Sequence, residues 1–395
     1  MVQMSRPHET ADTLRIENAR KDQGEATRSR HRFVGRGWTL HHRDVMDFLA
    51  DPGPELYDGV LCDPPYGLRF MRHHWDAAIP SVDVWSQLLR ACKPGAHLLA
   101  FGGPKTEHRL ACNIEDAGWE LRDKVYWVHG EGFPKSLNIG KALERLGEET
   151  GDWIGYGTGL KPAVEPVILA MKPRQGSFAK NVFKHGCGGL NIDECRIGTS
   201  GGTKRSHQAP YPRNEDGSED RINWARNGHS VELIDRGRFP ANLVLDEAAA
   251  ELLDRQSGRT RSRRSKRRLA NSNVGNGRTL GRFRSRLTAV AGYDDEGSAS
   301  RFFYVAKASR SERAGNDHPT VKPLALCEYL ALLILPPERP TPRRLLVPFS
   351  GSGSEMLGGL LAGWDHVTGV EWDRHFCDVS VRRLFARLQP STKPA

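Results

Sequence analysis

Residues 57–67 read Tyr57-Asp58-Gly59-Val60-Leu61-Cys62-Asp63-Pro64-Pro65-Tyr66-Gly67. The first part of this stretch predicts a short buried strand, because it is compact and largely apolar. The strand ends at the two prolines, since proline has a fixed φ and no N–H to donate. Its end therefore presents a carboxylate, a proline carbonyl and an aromatic ring. Ligands bind at the carboxyl ends of strands in open α/β sheets, so we expect a site here, although an Asp-Pro turn with a packed tyrosine is the alternative.

In the residues that follow, predicted helices alternate with predicted strands. Apolar positions at helical spacing predict helices, and short apolar runs bounded by glycine and proline predict strands. The predicted elements are a helix over 82–92, a strand over 97–101, a helix over 106–117 and a strand over 125–128. This alternation indicates a mostly parallel sheet covered on both faces, which is an α/β fold.

A second βαβ unit is predicted near the carboxyl end. A strand over 344–349 leads into the glycine-rich turn Ser350-Gly351-Ser352-Gly353-Ser354, and a helix and a strand over 366–370 follow, with Glu371 at the strand's end. Glycines let the backbone approach a ligand closely, and an acidic residue at the next strand end can accept hydrogen bonds from ribose hydroxyls. A plain turn without a ligand is the alternative.

Three of these stretches together resemble a known family. Asp63-Pro64-Pro65-Tyr66, the run His-Pro-Thr-Val-Lys-Pro at 318–323, and Phe-Ser-Gly-Ser-Gly at 349–353 with Glu371 are similar to motifs of the beta group of S-adenosylmethionine-dependent DNA amino-methyltransferases. These enzymes methylate adenine N6 or cytosine N4. The resemblance implies a Rossmann-like methyltransferase fold, with a mostly parallel, doubly wound sheet, a circularly permuted motif order and an inserted target-recognition region.

The resemblance also implies the roles of individual residues. The catalytic residues would be Asp63, Pro64, Pro65 and Tyr66. The residues expected to bind the cofactor S-adenosyl-L-methionine are Asp44, Thr320, Lys322, Phe349, Ser350, Gly351, Gly353 and Glu371. For Asp44 a helix N-cap is an equal alternative, and for 318–323 the alternative is a capped helix start with a solvated lysine.

One position departs from the family pattern. The family usually has Asp-Pro-Phe where this chain has Val347-Pro348-Phe349. The loss of this carboxylate would weaken the binding or orientation of the cofactor. It therefore keeps open a different class of function, a non-catalytic DNA-binding protein on a degenerate methyltransferase fold.

The charge of the chain is concentrated in one segment. The formal net charge is +10 and the pI is about 9.3, and residues 255–290 hold twelve Lys or Arg and no Asp or Glu. A basic balance of this kind indicates an anionic partner, nucleic acid before membrane, although a solvated disordered run is the alternative. The candidate phosphate-contacting residues are Arg261, Arg263, Arg264, Lys266, Arg267 and Arg268.

These observations predict a division of the chain. We expect a disordered leader over 1–30, a catalytic half over 31–171, a target-recognition insertion over 172–300 with the basic segment 255–290, a cofactor-binding half over 301–388, and a tail over 389–395. The predicted function is site-specific methylation of adenine N6 in double-stranded DNA, with cytosine N4 as the nearest alternative.

Other expectations concern surroundings and partners. The seven cysteines contain no Cys-x-x-Cys pair, so we expect no metal site, and their odd number favours a reducing cytoplasm. The resemblance implies that this is the cytoplasm of a prokaryotic or phage-infected cell. The longest apolar run is too short for a membrane span. A homodimer and a cognate restriction nuclease stay open.

Overall fold

The computed structural model describes residues 15–18, 31–51, 53–68, 76–130, 132, 136–198, 203–207, 229–233, 237–262, 265–268, 288–291, 295–307 and 321–388. These residues divide into two units. Unit 1 comprises residues 1–194, 242–249 and 305–395, and unit 2 comprises residues 195–241 and 250–304. Within the described part, no helix is both long enough and apolar enough to cross a membrane.

Unit 1 is built on a mixed sheet of eleven described strands. In chain order they are β1 (Arg15–Asn18), β2 (His31–Gly35), β3 (Trp38–His42), β4 (Tyr57–Cys62), β5 (Cys92–Phe101), β6 (Glu120–Val128), β7 (Val164–Met171), β10 (Leu243–Asp246), β15 (Tyr304–Ala306), β16 (Arg344–Val347) and β17 (His366–Glu371). Their order across the sheet is β1-β2-β3-β17-β16-β4-β5-β7-β6-β10-β15.

The centre of the sheet is parallel and its flanks are mixed. Strands β3, β17, β16, β4 and β5 run parallel to one another, whereas β7 lies antiparallel between β5 and β6. Strand β16 comes late in the chain yet lies between β17 and β4. This arrangement confirms the predicted Rossmann-like architecture with a permuted order, and it brings the ends of β4, β16 and β17 to one edge.

The helices of unit 1 form two groups on this sheet. The first is α1 (Val45–Leu49), α2 (Val82–Ala91) and α3 (Glu107–Asp116), and the second is α7 (Leu324–Leu333), α8 (Ser354–Leu361) and α9 (Arg374–Leu388), while α4 (Ile139–Leu146) and α5 (Phe178–His185) lie outside both. Successive side chains of a strand point to opposite faces of the sheet, so neighbouring residues of one strand contact different groups of helices. Val60 of β4 packs into the core with α2, whereas a Cβ at the neighbouring Gly59 would lie 2.9 Å from the Trp364 ring.

Unit 2 contains short antiparallel pairs. Strand β8 (Thr203–His207) pairs with β9 (His229–Leu233), β11 (Thr260–Ser262) with β14 (Asp295–Gly297), and β12 (Ser265–Arg268) with β13 (Thr288–Ala291). Helix α6 (Glu247–Ser257) crosses the boundary between the units in sequence. The basic segment 255–290 therefore contains regular structure in its described part, because main-chain pairing does not depend on net charge.

Several predicted boundaries are corrected. Residues Arg15–Asn18 of the predicted leader form β1, because the edge of β2 offers main-chain hydrogen bonds to a strand without an apolar pattern. Residues 172–194 and 242–249 of the predicted insertion belong to unit 1. At the start of the predicted cofactor-binding half, residues 299–302 form a 3-10 turn and β15 follows. The predicted tail, 389–395, lies outside the described residues.

Candidate active site

A buried charged cluster lies at the carboxyl end of β4. The hydroxyl of Tyr66 donates to Oδ1 of Asp63 at 2.8 Å, and the ammonium of Lys322 lies 2.9 Å from Oδ2 of Asp63. Lys322 also donates to the Tyr66 hydroxyl at 3.0 Å and pairs with Glu165 at 3.1 Å. Its side chain is 4% exposed and lies over the Phe101 ring. The cluster thus joins residues from β4, β5, β7 and the segment before α7.

Burial and mutual charge set the protonation states of this cluster. Burial lowers the pKa of Lys322, but Asp63, Glu165 and Tyr66 outweigh this effect and hold the pKa well above its ordinary range. Burial raises the pKa of Tyr66, and Asp63 raises it further. Burial also raises the pKa of Asp63, and the Lys322 charge opposes that rise. Tyr66 is therefore a neutral phenol beside a lysine that carries its charge.

The loop after the two prolines is fixed by its backbone. The carboxylate of Asp76, which is 2% exposed, accepts hydrogen bonds from the N–H groups of Tyr66 at 2.7 Å, Gly67 at 2.9 Å and Leu68 at 3.1 Å. On the other side, the hydroxyl of Thr106 donates to the carbonyl of Tyr66 at 2.6 Å. These bonds satisfy donors that a strand end leaves unpaired, and they hold the tyrosine ring in position.

The glycine-rich turn lies between the ends of β16 and β17. Gly353 adopts a left-handed conformation, with φ of 84°, directly before α8. Oε2 of Glu371 accepts from the N–H of Gly351 at 2.7 Å, and Oε1 accepts from the N–H of Asp373 at 2.8 Å. Burial raises the pKa of Glu371 to about 7, even though these bonds lower it. The carboxylate therefore fixes the turn against the end of β17.

The cluster and the turn open into one cavity of about 420 Å³. Its volume lies in the range that small-molecule sites occupy. Asp63, Pro64, Pro65 and Tyr66 line one part of it, and the turn lines another. The wall of the cavity also includes Asp44, Glu165, Lys322, Glu355, Glu371 and Trp372. All these residues belong to unit 1.

The family model described as DNA methylase matches residues 57–381. This range contains every element that lines the cavity from β4 to β17. The chain belongs to this family. The recognition from sequence motifs is therefore confirmed, because this family is that of the N6 and N4 DNA amino-methyltransferases.

Individual relatives are more distant. The type II methyltransferase M.HindIII of Haemophilus influenzae is 30% identical over 116 residues, which cover 28% of this chain and 38% of that relative. The chain thus matches less than half the length of that relative. Among solved structures, the M1.HpyAVI–SAM complex is 14% identical, with a TM-score of 0.40 and coverage of 88% of this chain and 99% of that one. The cytosine-N4-specific PvuII DNA methyltransferase is 13% identical, with a TM-score of 0.42 and coverage of 91% and 88%.

The fold brings most of the predicted site residues together. Asp63, Pro64, Pro65, Tyr66, Lys322, Phe349, Ser350, Gly351 and Glu371 all line the cavity. Gly353 does not line it and instead shapes the turn. Lys322 contacts Asp63 and Tyr66 directly, and its predicted binding of the cofactor stays a prediction. Thr320 lies outside the described residues.

Asp44 was predicted either to cap a helix or to bind the cofactor. Its Oδ1 accepts from the N–H of Met46 at 2.8 Å, which makes it the N-cap of α1. It also lines the cavity. The N-cap is confirmed, and contact with the cofactor's adenine stays a prediction.

The predicted DNA-contacting residues lie in unit 2. Arg261 is an exposed residue of β11. Lys266, Arg267 and Arg268 lie on β12, whose main chain pairs with β13. Arg263 and Arg264 lie outside the described residues. Their contacts with phosphate stay a prediction.

Four residues of the site were missed by sequence reasoning. Glu165, Asp76 and Glu355 are acidic residues near predicted element ends, but nothing in their local sequence distinguishes them from surface carboxylates. Trp372 follows Glu371 directly and is 59% exposed at the cavity wall. The position of this tryptophan directly after the acidic end of a predicted strand was the signal that the sequence offered.

Val347 has a structural explanation. Its side chain is wholly buried in β16, where it pairs in register with Gly369, and it is not among the residues that line the cavity. The residue is therefore part of the core in this methylase.

Proposed function

We propose that this methylase transfers a methyl group from S-adenosyl-L-methionine to the exocyclic N6 amine of an adenine in double-stranded DNA. The observation that carries the proposal is the shared cavity. The Asp63-Pro64-Pro65-Tyr66 end of β4 and the glycine-rich turn with Glu371 open into the same space. A methyl donor and an acceptor amine must meet within one such space for direct transfer.

The residues around the turn fit the proposed cofactor. The backbone of Gly351 and Ser352 faces the cavity without large side chains, which suits a nucleoside, and Glu371 has lone pairs beyond those used by Gly351 and Asp373 to accept ribose hydroxyls. The exposed indole of Trp372 stands beside them for stacking on a base. Bound there, the cofactor supplies an electrophilic methyl group on a sulfonium.

The residues at the end of β4 act on the amine. The exocyclic amine is a poor nucleophile because its lone pair is delocalised into the ring. Hydrogen bonds from the amine to Asp63 and to the Pro64 carbonyl draw the nitrogen toward tetrahedral geometry and free that lone pair. Lys322 and Tyr66 hold the Asp63 carboxylate in place, so little reorganisation is needed.

Tyr66 is the platform for the flipped base. Its ring lines the cavity and its backbone is fixed by Asp76 and Thr106. A base that leaves the duplex loses stacking worth a few kcal/mol, roughly, and stacking on an aromatic ring restores part of this. In the absence of a base, the Tyr66 hydroxyl occupies one oxygen of Asp63, which can accept a second donor on its other lone pair.

The test is transfer of labelled methyl groups to unmethylated genomic DNA, followed by mass spectrometry of the nucleosides. We expect N6-methyladenine as the product. N4-methylcytosine would replace the adenine assignment with the cytosine one. No product, together with no cofactor binding, would overturn the proposal in favour of a non-catalytic DNA-binding role.

A matched pair of variants connects the product to the site. Asp63→Asn keeps the size of the side chain but loses its charge and one acceptor, and we expect turnover to fall about 100-fold or more. Glu115→Gln makes the same kind of change on the exposed surface of α3 and should leave turnover unchanged. Near-normal turnover by Asp63→Asn would contradict the assigned role.

We also propose that the basic residues of unit 2 bind DNA phosphates. Lysine and arginine contacts with phosphate release counterions, so each contact steepens the dependence of affinity on salt. Replacing Lys266, Arg267 and Arg268 with Gln should weaken DNA binding on every sequence and reduce the salt slope by about 1 for each lost contact. An unchanged slope would show that these residues do not contact DNA.

A further inference from the structure

The carboxylates that line the cavity differ in their partners. Asp63 and Glu165 pair with Lys322, Glu371 accepts backbone N–H groups, and Asp44 and Asp76 accept backbone N–H groups near their own loops. Glu355 is the exception among these described residues. No described Lys, Arg or His side chain forms an ion pair with Glu355. The thiol of Cys327, at 3.9 Å, is only a weak donor to it.

Glu355 is nonetheless held inside the protein. It lies in the first turn of α8, directly after the glycine-rich turn, and is 4% exposed. The positive end of the helix dipole favours a carboxylate in this position, but a buried charge without a partner is costly. The side chain faces the same cavity as the turn and the Asp63 cluster. A carboxylate kept there without a cation indicates that a ligand provides one.

We infer that Glu355 binds a positively charged group of the cofactor, either its amino-acid ammonium or its sulfonium. The inference rests on the proposed function, because it takes S-adenosylmethionine as the ligand. That molecule carries both of these cations and one carboxylate, so its net charge is positive. Lys322 already neutralises part of the Asp63 and Glu165 charge. Glu355 is therefore the carboxylate available to a cationic group of the cofactor.

The consequence for Val347 is direct. This chain buries an apolar side chain at the end of β16 and places an acidic one on the helix that follows the turn. A carboxylate is therefore present in the cavity, although it comes from a different element. The departure at Val347 does not remove the acidic group that a cationic ligand requires.

Protonation of Glu355 couples to this binding. Burial and the nearby Asp63 charge together raise its pKa to about 7, although its own backbone N–H, Lys322 and Arg383 oppose the rise, while Cys327 offers a weak hydrogen bond. Below pH 7 the free protein holds Glu355 largely neutral, and a cation binds the ionised form. Cofactor affinity should therefore increase from pH 6 to pH 8, with a proton released on binding.

The experiment is calorimetric titration of the full chain, without DNA, at pH 6, 7 and 8. The ligands are S-adenosylmethionine, which has both cations, and S-adenosylhomocysteine, which has only the ammonium. The variants are Glu355→Gln, the charge-retaining Glu355→Asp, and the exposed control Glu115→Gln. Circular dichroism and thermal unfolding check that each variant folds.

We expect Glu355→Gln to bind S-adenosylmethionine at least about tenfold more weakly at pH 8, and to lose the increase in affinity with pH. Glu355→Asp should keep that increase, and Glu115→Gln should match the wild type. An equal loss for both ligands would identify the ammonium as the group bound, and a loss for S-adenosylmethionine alone would identify the sulfonium.

The inference is overturned if the wild type binds S-adenosylmethionine and folded Glu355→Gln binds it with the same affinity and pH profile. Failure of the proposed function is a different result. There the wild type itself binds neither ligand at any pH, and both the cofactor assignment and the role of Glu355 are wrong.

Discussion

The ammonium of Lys322 lies 2.9 Å from the carboxylate of Asp63, although one residue follows β4 and the other precedes α7. The same ammonium contacts Glu165 at the start of β7. Three distant parts of the chain thus meet in one ion cluster. Lys322 therefore joins these parts of the chain at the edge of the cavity and supplies the positive charge of the cluster.

Removal of this lysine should destabilise the fold. Lys322→Met leaves Asp63 and Glu165 close together without a cation, and breaking a buried ion pair from one side costs about 3–5 kcal/mol. The free energy of unfolding in urea measures the loss. The double variant Lys322→Met, Glu165→Gln should recover part of it, because one uncompensated charge is gone. A single variant within about 0.5 kcal/mol of the wild type would show that the cluster contributes little.

The ring and the hydroxyl of Tyr66 should have separate effects, the ring on DNA affinity and the hydroxyl on turnover. Tyr66→Phe keeps the stacking surface and loses the donor to Asp63, so affinity for DNA should hold while turnover falls modestly. Tyr66→Ala loses the ring and should lower DNA affinity by roughly 5- to 100-fold, the range for one base–aromatic stack. Fluorescence anisotropy with a DNA duplex measures affinity. Equal affinity for both variants would argue against stacking on this ring.

Asp76 should control the loop without contacting the cofactor. Asp76→Ala leaves three N–H groups, of Tyr66, Gly67 and Leu68, without their acceptor, so the tyrosine loses its fixed position. We expect kcat to fall tenfold or more, on the order of one lost charge-assisted bond, with unchanged cofactor affinity. Asp76→Asn keeps one acceptor oxygen, so its kcat should lie between that of the wild type and that of Asp76→Ala. A loss of cofactor affinity equal to the loss of kcat would contradict a role confined to this loop.

The stability of the free protein should depend on Glu371 in a defined pH window. Burial raises the pKa of Glu371 to about 7, above the ordinary value of a glutamate, so the folded state binds a proton that the unfolded state has lost. Its contribution to stability is complete below about pH 4.5 and is lost as the pH rises to about 7, with a total near 3 kcal/mol.

The variant Glu371→Gln cannot titrate and isolates this contribution. The stability of the wild type relative to the variant should decrease from pH 5 to about pH 7 and become constant near pH 8. The slope is the readout, because the variant also loses a hydrogen bond to Gly351 or Asp373 and this loss is the same at every pH. Parallel stability curves would show that Glu371 is ionised throughout.

The sequence by itself determined the local elements and their order. The two prolines after Asp63 end β4, the apolar run Leu324–Leu333 forms α7 after Pro323, and the glycine-rich turn begins α8. Each of these depends on backbone restriction or periodicity within a few residues, which a sequence displays directly. The order of the motifs then indicated the permuted sheet, in which β16 lies beside β4.

Only the tertiary structure decided which side chains meet. The partners of Lys322, the acceptor role of Asp76 and the burial of Glu355 depend on contacts between elements that are far apart in the chain. A carboxylate near an element end has the same local sequence whether it faces water or a cavity, and only folding sets its surroundings. Burial by the packed sheet, α7 and α8 gives Glu355 and Glu371 their raised pKa values, and no local pattern encodes it.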